Sequence, residues 1–496
     1  MKKYIVESNS GKIQGYERDG MIEFLGIPFA EPPVGVLRLK RAIPIKPWEG
    51  IFDAKEYGMP AVQLGKNGGV GSENCLTLNI RRPLNGEKLP VLVYIHGGGY
   101  NWGMASSPLF DGKSFVRNGI IYVTFQYRLG VWGFYDFREY PEGKKYDSNC
   151  GISDHIVAME WIHENIKEFG GDPDRITISG ESAGAISVIA MMAISRLKGT
   201  FQQVIAASSL PNAVFSSKMA KENMNLFLEG MGWTQDDLPK LRIVDAFEVL
   251  KGNTYVSKKH QKRNPGIFLP APAIDDLLPE CPIDAIRKGC GRDVKLMIGT
   301  NLHEGTMFIQ HGSRDFPNSW DAIEEMFVKH NYQKEYAKVK RYYEDNSHQK
   351  INGIDECLIN FATDYVFQVP SIQVANAQRN YSDVYVYRFE YISEYARKSG
   401  MMCAHAMDLP FDFNKMEDEF CETVKKDNPE VVEKLMEEVH MSWVRFVKTG
   451  KPNGEIWPEF KGYDSSIRIF DKESRTVKMD YNELMNIWGN MRFYQK

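Results

Sequence analysis

The segment Ile176–Ala185 constrains the fold and function of this chain more than any other part of the sequence. It begins with the apolar pattern of a buried strand, continues as Gly-Glu-Ser-Ala-Gly, and runs into an apolar helical pattern. A nucleophile on a sharp strand-to-helix turn has a strained backbone, and flanking glycines avoid side-chain clashes there. The first N–H groups of the following helix favour negative charge. We therefore predict that Ser182, between Gly180 and Gly184, is a catalytic nucleophile; the strand and helix patterns argue against a chance match.

Short apolar runs of strand length alternate with helix-period segments along the chain. The runs that we predict to be buried strands are Val91–Ile95, Ile120–Phe125, Ile176–Ser179, Val204–Ala207, Val294–Ile298 and Val384–Phe389. Amphipathic helices are predicted at Ile152–Phe169 and Val431–Lys448. This alternation predicts an α/β fold with a mostly parallel sheet that is covered by helices on both faces. Such a sheet binds its ligand at the carboxyl ends of its strands, and Ser182 follows one of them.

A glycine-rich loop, His96–Tyr100, follows the predicted strand Val91–Ile95 and contains three consecutive glycines. Glycines let backbone N–H groups approach a substrate oxygen closely, as an oxyanion hole requires. For this loop alone a flexible turn is an equal alternative, but its position ahead of the Ser182 motif favours a catalytic role. A second glycine-rich stretch, Gly65–Gly71, lacks the Gly-Lys-Ser or Gly-Lys-Thr ending of a phosphate-binding loop.

A serine hydroxyl needs a base, and the usual base is a histidine that is oriented by a carboxylate. In hydrolases with this serine motif, the acid and then the histidine follow the serine in the chain. His405 lies in a largely apolar segment, and Glu304 follows a predicted strand in a glycine-bounded loop, so we choose these two. His303 adjoins Glu304 and is interpreted as non-catalytic. The remaining histidines after the serine are His260, His311, His330, His348 and His440.

Charge, hydropathy and cysteine content exclude several classes of protein. The 61 Lys and Arg against 65 Asp and Glu give a net charge of −4, without the basic blocks that bind nucleic acid. The apolar runs are shorter than the about 20 residues that span a bilayer, and the basic start lacks the apolar stretch of a secretory signal. The seven cysteines are scattered without metal-type spacing. We therefore predict a soluble, cytoplasmic protein; secretion by another route stays open.

Taken together and in order, these motifs resemble those of the type-B carboxylesterases. This branch of the α/β hydrolases includes para-nitrobenzyl esterases, mammalian carboxylesterases and cholinesterases. The further segments that match the family pattern are Gly26–Pro33, Ser72–Asn79, Tyr127–Gly130, Phe169–Pro173, Trp443, Thr449–Asn453 and Trp457–Pro458. The resemblance therefore covers nearly the whole chain.

The resemblance implies an α/β-hydrolase fold for residues 1–496 as a single domain. The implied architecture is a large, mostly parallel central sheet flanked by helices, with helical insertions over the active site. The resemblance also implies a catalytic triad, in which Ser182 is the nucleophile, Glu304 the acid and His405 the base.

Further roles are implied by the same resemblance. The N–H groups of Gly98, Gly99 and Ala183 match the donors of the oxyanion hole. Ser208 and Asp408 match residues that lie behind the triad and support it.

The sequence thus predicts a serine carboxylesterase for esters of small or medium acyl chain, which acts through an acyl-enzyme without cofactor or metal. We expect the protein to bind a small-molecule ester, and neither nucleic acid nor a membrane. The sequence leaves the oligomeric state open, and it is compatible with a monomer. Because neutral His405 is the base, activity is expected to fall as pH drops through about 6–7. The alternatives are a non-catalytic, cholinesterase-like binding protein, and an acyltransferase or amidase with the same triad.

Three positions depart from the family pattern, and one of them is Ser209, where the family usually has glycine. No cysteine precedes Cys75, so the disulfide that secreted relatives form there cannot form, in agreement with a cytoplasmic location. Gly65 stands where cholinesterases place a tryptophan, which leaves a cation–π site for choline unsupported. The candidates for lining an apolar pocket, with core packing as the alternative, are Tyr100, Trp102, Met307–Phe308 and Phe361–Phe367.

Overall fold

The computed structural model describes residues 2–263, 268, 270–310, 316–347, 349–416, 424, 427–489 and 491–494. His311, His348 and Cys421, which the sequence analysis considered, lie outside these residues.

The described residues form seventeen strands. Their bounds are β1 Lys3–Ser8, β2 Gly11–Arg18, β3 Met21–Pro28, β4 Ile51–Asp53, β5 Gln63–Gly65, β6 Gly68–Val70, β7 Thr77–Pro83, β8 Leu89–Ile95, β9 Ile121–Phe125, β10 Gly171–Glu181, β11 Gln203–Ala207, β12 Lys295–Asn301, β13 Lys350–Ile351, β14 Ile354–Asp355, β15 Val384–Phe389, β16 Asp464–Phe470 and β17 Arg475–Asp480.

Thirteen of these strands form one large sheet. Its order is β1-β2-β3-β7-β9-β8-β10-β11-β12-β15-β16-β17, and β4 pairs with β2 beside this path. From β9 to β16 the strands are parallel, whereas the other neighbours in this order pair in the antiparallel sense. The added strand β4 pairs with β2 in the parallel sense. The mostly parallel central sheet is therefore confirmed. The antiparallel strands β1–β3 and β7 were not among the predicted elements.

Sixteen α-helices are described, together with shorter helical turns. The α-helices are α1 Lys113–Arg117, α2 Gly130–Phe134, α3 Cys150–Asn165, α4 Ala183–Met192, α5 Ser217–Met231, α6 Val249–Arg263, α7 Pro282–Arg287, α8 Thr306–Gln310, α9 Trp320–Lys329, α10 Gln333–Asn346, α11 Glu356–Thr363, α12 Val369–Gln378, α13 Glu394–Ser399, α14 Leu409–Asp412, α15 Pro429–Thr449 and α16 Asn482–Trp488. The 3₁₀ turns are Gly35–Leu37, Pro108–Phe110, Pro141–Gly143, Ile166–Phe169, Ser195–Leu197 and Gln235–Arg242, and Asp364–Gln368 is a π-helical turn.

The six predicted strands are all present, as β8, β9, β10, β11, β12 and β15, with bounds that differ by a few residues. The predicted helix Ile152–Phe169 is α3, which gives way to a 3₁₀ turn after Asn165. Gly170 follows that turn with φ of 81°, the left-handed conformation in which helices commonly end. The second predicted helix, Val431–Lys448, lies within α15.

Side chains of the central strands enter two different hydrophobic cores, one on each face of the sheet. Along β8, Val91, Val93 and Ile95 belong to one core, while Leu92 and Tyr94 belong to the other. Successive side chains of a strand point to opposite faces, so a strand between two helical layers is apolar throughout. The continuous apolar run of β8 is therefore a consequence of its central position.

A buried ion pair joins the loop after β9 to helix α3. Arg128 Nη2 lies 2.6 Å from Asp154 Oδ1, and the two side chains are 4% and 0% exposed. The guanidinium also donates to the carbonyl oxygens of Lys40 and Cys150, at 2.7 and 3.1 Å. This fully bonded pair fixes the N-terminal segment against the centre of the molecule.

Replacing Asp154 by Asn is expected to lower the free energy of unfolding by about 3–5 kcal/mol, because Arg128 would keep its buried charge without a counterion. Urea or thermal unfolding of both proteins measures the loss. The matched control is Glu160→Gln, whose partner Arg196 is 55% exposed and which is expected to cost about 0–1 kcal/mol. Equal losses in the two variants would contradict this account of the buried pair.

Candidate active site

Ser182 occupies the sharp turn between β10 and α4, with φ of 56° and ψ of −122°. Non-glycine residues rarely adopt this conformation, and it is a known place for strain at functional sites. A Cβ atom at Gly180 would lie 2.4 Å from the carbonyl carbon of Gly184, and one at Gly184 would lie 2.0 Å from the carbonyl oxygen of Ile95. Both positions therefore require glycine, and the strained turn that the motif predicts is present.

Glu304 and His405 meet because their loops follow the neighbouring parallel strands β12 and β15. His405 Nδ1 lies 2.6 Å from Glu304 Oε2, and Glu304 is fully buried. A carboxylate only accepts hydrogen bonds, so Nδ1 carries the proton in this contact. The other ring nitrogen, Nε2, is then left to accept a proton when the imidazole is neutral.

The second oxygen of Glu304 is held by two further donors. Ser208 Oγ donates to Glu304 Oε1 at 2.5 Å, and the backbone N–H of Asn301 donates to the same oxygen at 2.7 Å. The side-chain amide of Asn301 donates to Ala404 O at 2.9 Å and to Asp408 Oδ1 at 3.1 Å. Asn301 therefore ties the loop of Glu304 to the loop of His405. Sequence reasoning missed it, although its place at the carboxyl end of a buried strand was a signal.

A third carboxyl group faces the imidazole from the serine side. His405 Nε2 lies 3.1 Å from Glu181 Oε1, and Glu181 directly precedes Ser182. Burial by itself lowers the pKa of His405, but the carboxylates of Glu181 and Glu304 outweigh burial and raise it above its ordinary value. Burial raises the pKa of Glu181, and His405 partly offsets that rise. Glu181 was missed as well, although it lies inside the serine motif.

The hydrogen bonds that join described residues do not include one between Ser182 Oγ and the His405 ring. The ring is instead positioned by Glu304 on one side and lies against Glu181 on the other. Catalytic hydrogen bonds are often loose before substrate binds, so this geometry is compatible with a serine–histidine pair.

Two more acidic side chains lie behind this group. Burial raises the pKa of Asp408 to about 6, and burial together with Asp408 and Glu181 raises the pKa of Asp412 well above its ordinary value. Asp412, Glu181 and Tyr94 line a small internal cavity, and within the described part of the chain Asp412 Oδ1 and the Tyr94 hydroxyl have no hydrogen-bond partner. At a given pH these shifts lower the ionised fraction of the two carboxyl groups and so limit the negative charge behind His405. Asp412 had no motif to reveal it.

The glycine-rich loop lies directly beside the serine turn. Gly98 and Gly99 have φ of 104° and 57°, and a Cβ atom on Gly97 would lie 3.2 Å from the Ser182 Cβ. None of the backbone hydrogen bonds found between described loop residues uses the N–H of Gly98 or Gly99 as its donor. Ala183 begins α4, so its N–H has no partner within the helix. The three proposed donors line the same cavity as Ser182.

This cavity has a volume of about 670 Å³, which is in the usual range for small-molecule sites. Its wall is mostly apolar, and among the described lining residues only Glu181 and His405 can carry a charge near neutral pH. Trp102, 62% exposed, stands in the wall and reaches solvent. The cavity therefore fits a neutral, largely apolar molecule.

Aromatic rings of the cavity wall pack directly against the imidazole. The ring centroids of Phe367 and Phe308 lie 4.7 and 5.4 Å from that of His405. The pocket candidates that do line the cavity are Tyr100, Trp102, Met307, Phe308 and Phe367. Phe361 instead packs in the core against Trp488, at 5.5 Å, so core packing was the right alternative for it.

The other residues that sequence reasoning weighed lie elsewhere. His303 is buried outside the cavity wall, and burial lowers its pKa to about 4. His440 is buried in the core, with Nδ1 at 2.9 Å from Asp412 O. Within the described ranges, no group of three or more His, Cys, Asp or Glu side chains is arranged to hold a metal ion. The helices in those ranges are also too short or too polar to cross a membrane.

A mostly parallel sheet with a strained serine turn at its carboxyl edge defines the α/β-hydrolase class. The model of the carboxylesterase family matches residues 2–488. The chain is 33% identical over 486 residues to para-nitrobenzyl esterase of Bacillus subtilis (strain 168), covering 95% of this chain and 96% of that protein. It is 29% identical to phenmedipham hydrolase of Pseudarthrobacter oxydans, covering 96% and 97%. A solved PNB esterase superposes with a TM-score of 0.86 at 30% identity, covering 98% and 100%.

The chain therefore belongs to the carboxylesterase family, and it is a carboxylic ester hydrolase. The presence of Ser182, together with the contact between Glu304 and His405, argues against the alternative of a non-catalytic binding protein.

The electrostatics at His405 give a testable pH dependence. A base must be neutral, and a raised pKa keeps His405 protonated to higher pH. As the pH is lowered, we therefore expect kcat/KM to begin to fall at a pH above the range of about 6–7 that an ordinary histidine would give. Glu181→Gln removes one negative charge and is expected to move this acidic limb to lower pH by about 1 unit or more. The measurement is kcat/KM against pH.

The control for this experiment is Glu168→Gln, at an exposed position away from the cavity. It is expected to leave the limb where it lies in the wild type. A limb that does not move in Glu181→Gln would show that Glu181 does not set the protonation of the base.

Proposed function

We propose that the protein is a serine carboxylesterase that hydrolyses esters of small or medium acyl chain through an acyl-enzyme. The observation that carries this proposal is the 2.6 Å contact between Glu304 and His405 beside the strained turn of Ser182, in the wall of one apolar cavity. A nucleophile, a base and an orienting acid are thus available where a substrate can bind.

In the first half of the proposed reaction, His405 Nε2 takes the proton of the Ser182 hydroxyl while Oγ attacks the ester carbonyl carbon. The ring first turns away from Glu181 toward Oγ, and Glu304 keeps Nδ1 protonated during this movement. Glu304 also stabilises the imidazolium that forms. His405 then gives its proton to the leaving alcohol, and the acyl group stays on Ser182.

In the second half, His405 takes a proton from a water molecule, which attacks the acyl carbon. The tetrahedral intermediate collapses, the proton returns to Ser182 Oγ, and the carboxylic acid leaves. The reaction thus consumes one ester and one water and yields one acid and one alcohol, and the proposed steps involve no cofactor or metal.

The proposed oxyanion hole consists of the N–H groups of Gly98, Gly99 and Ala183. Support comes from the open donors of the loop, from its contact with the serine turn, and from the helix that starts at Ala183. A donor of this kind is typically worth about 3–4 kcal/mol in the transition state. Ser208 and Asp408 are proposed to act behind the triad, Ser208 on Glu304 directly and Asp408 through Asn301.

The substrate class follows from the cavity and from the relatives. An apolar wall with few charged groups favours neutral esters, and one relative is named for its action on para-nitrobenzyl esters. The small-molecule partner and the cytoplasmic location stay proposals. The described cysteines form no disulfide bonds, which is the state that a reducing compartment favours.

Ser182→Ala is expected to lower the hydrolysis rate of p-nitrophenyl esters by a factor on the order of 10⁴–10⁶, because the nucleophile is lost. The assay is the initial rate over a series from acetate to long acyl chains. Ser195→Ala, at an exposed position shortly after α4, is the matched control and should keep the wild-type rate. Wild-type rates in Ser182→Ala would rule out the proposed nucleophile.

Water is expected to be the main acyl acceptor, because the proposed deacylation needs only His405 and a water molecule. Product analysis in the presence of added short alcohols should show free acid as the main product at low alcohol concentration. A new ester that dominates there would favour the acyltransferase alternative. An anilide hydrolysed faster than the matched ester would favour an amidase.

A further inference from the structure

One aromatic ring of the cavity wall comes from a segment that is separate in sequence from the serine, acid and histidine loops. Phe268 lines the cavity, and its ring centroid lies 4.9 Å from that of Phe308 in an edge-to-face arrangement. Phe308 in turn packs against His405. Phe268 is therefore one ring removed from the base and borders the space in which part of an ester would lie.

The backbone of Phe268 is held by a residue from the other end of the chain. The N–H of Phe268 donates to the hydroxyl oxygen of Tyr494 at 2.9 Å, across 226 positions of sequence. Tyr494 is only 7% exposed, and its ring stacks on Phe215 at 5.9 Å. Its burial raises the pKa of the hydroxyl above the ordinary value, so the group stays neutral. A buried, stacked tyrosine is thus a fixed anchor for Phe268.

The wall beside this anchor is thin. A second cavity, of about 30 Å³, lies behind it and is lined by Met491, Phe493 and Tyr494. Leu210 and Ala213 line both cavities, so a single layer of side chains separates them. The segment Met491–Tyr494 therefore backs the substrate cavity, and the space behind the wall leaves room for side chains to shift.

We propose that Tyr494 is a positioning residue that sets the width of the substrate cavity by holding Phe268, and thereby selects esters by size. This inference rests on the proposed esterase function for its main readout. It assigns no chemistry to Tyr494, which lines the rear cavity and acts through the backbone of Phe268. When the bond is absent, Phe268 is free to withdraw from Phe308, and the cavity accepts bulkier esters.

The test is Tyr494→Phe, which keeps the stacked ring and removes the acceptor. We expect the ratio of kcat/KM for octanoate to that for acetate p-nitrophenyl esters to rise about threefold to tenfold, as expected for the loss of one hydrogen bond. Phe268→Leu removes the ring directly and should raise the same ratio. In the Phe268→Leu background, Tyr494→Phe should add nothing, because the ring that the bond positions is already gone.

Tyr146→Phe is the matched control. It removes a buried tyrosine hydroxyl that donates to Leu238 O at 2.8 Å, away from the cavity wall. Its ratio is expected to equal that of the wild type even if its unfolding temperature falls. The proposal would be overturned if Tyr494→Phe left the octanoate-to-acetate ratio unchanged. It would also be overturned if the double variant changed this ratio by the product of the two single effects. If Tyr494→Phe does not fold, an unchanged ratio in Phe268→Leu overturns it, and a raised ratio supports the role of the ring.

A binding measurement separates this inference from the proposed function. Calorimetry with methyl ketones of short and long chain reports the width of the cavity without any turnover. If the wild type hydrolyses none of the esters, the proposed function fails, and the ketones still decide the role of Tyr494. The proposal is supported if Tyr494→Phe increases the affinity for the long ketone relative to that for the short one. It is contradicted if the ratio of the two affinities is the same in both proteins.

Discussion

The contact between Glu304 and His405 is the interaction on which the rest of the site depends. A fully buried carboxylate is costly unless its oxygens are hydrogen-bonded, and Ser208, Asn301 and His405 together supply the donors. These donors lie at or beyond the carboxyl ends of three adjacent parallel strands, β11, β12 and β15. A shift of one residue in their register would move every side chain to the opposite face. The apolar packing on both faces of the sheet, which fixes this register, therefore also fixes the geometry of the site.

The second constraint is the crowding of carboxyl groups around one imidazole. Glu181 lies against Nε2, Glu304 lies against Nδ1, and Asp408 and Asp412 lie behind them. Ionised together, these groups would hold His405 in its charged form, which cannot act as a base. Burial opposes this by raising the pKa of the acids that lack a full set of donors. The site thus balances two effects of the same low-dielectric environment, and the rings of Phe308 and Phe367 maintain that environment by excluding water.

Much of this arrangement could be predicted from the sequence, because it depends on local patterns. The central strands are continuous apolar runs, and the serine motif requires glycine where a Cβ atom would collide with backbone. The fold class is confirmed, and the structure brings Glu304 and His405 into contact, while their catalytic roles stay a proposal. The contacts of Glu181 and Asn301 depend on which loops meet in space. Periodicity carries no such information, and the bond between Tyr494 and Phe268 is equally invisible in the sequence.

The most direct test of the central claim is to trap the covalent intermediate. The protein is mixed with a p-nitrophenyl ester, quenched in acid within milliseconds, digested and analysed by mass spectrometry. The account predicts an added acyl mass on the peptide that contains Ser182, and fragmentation should place it on that serine. Ester turnover without this adduct, or with the acyl group on another residue, would contradict the proposed mechanism.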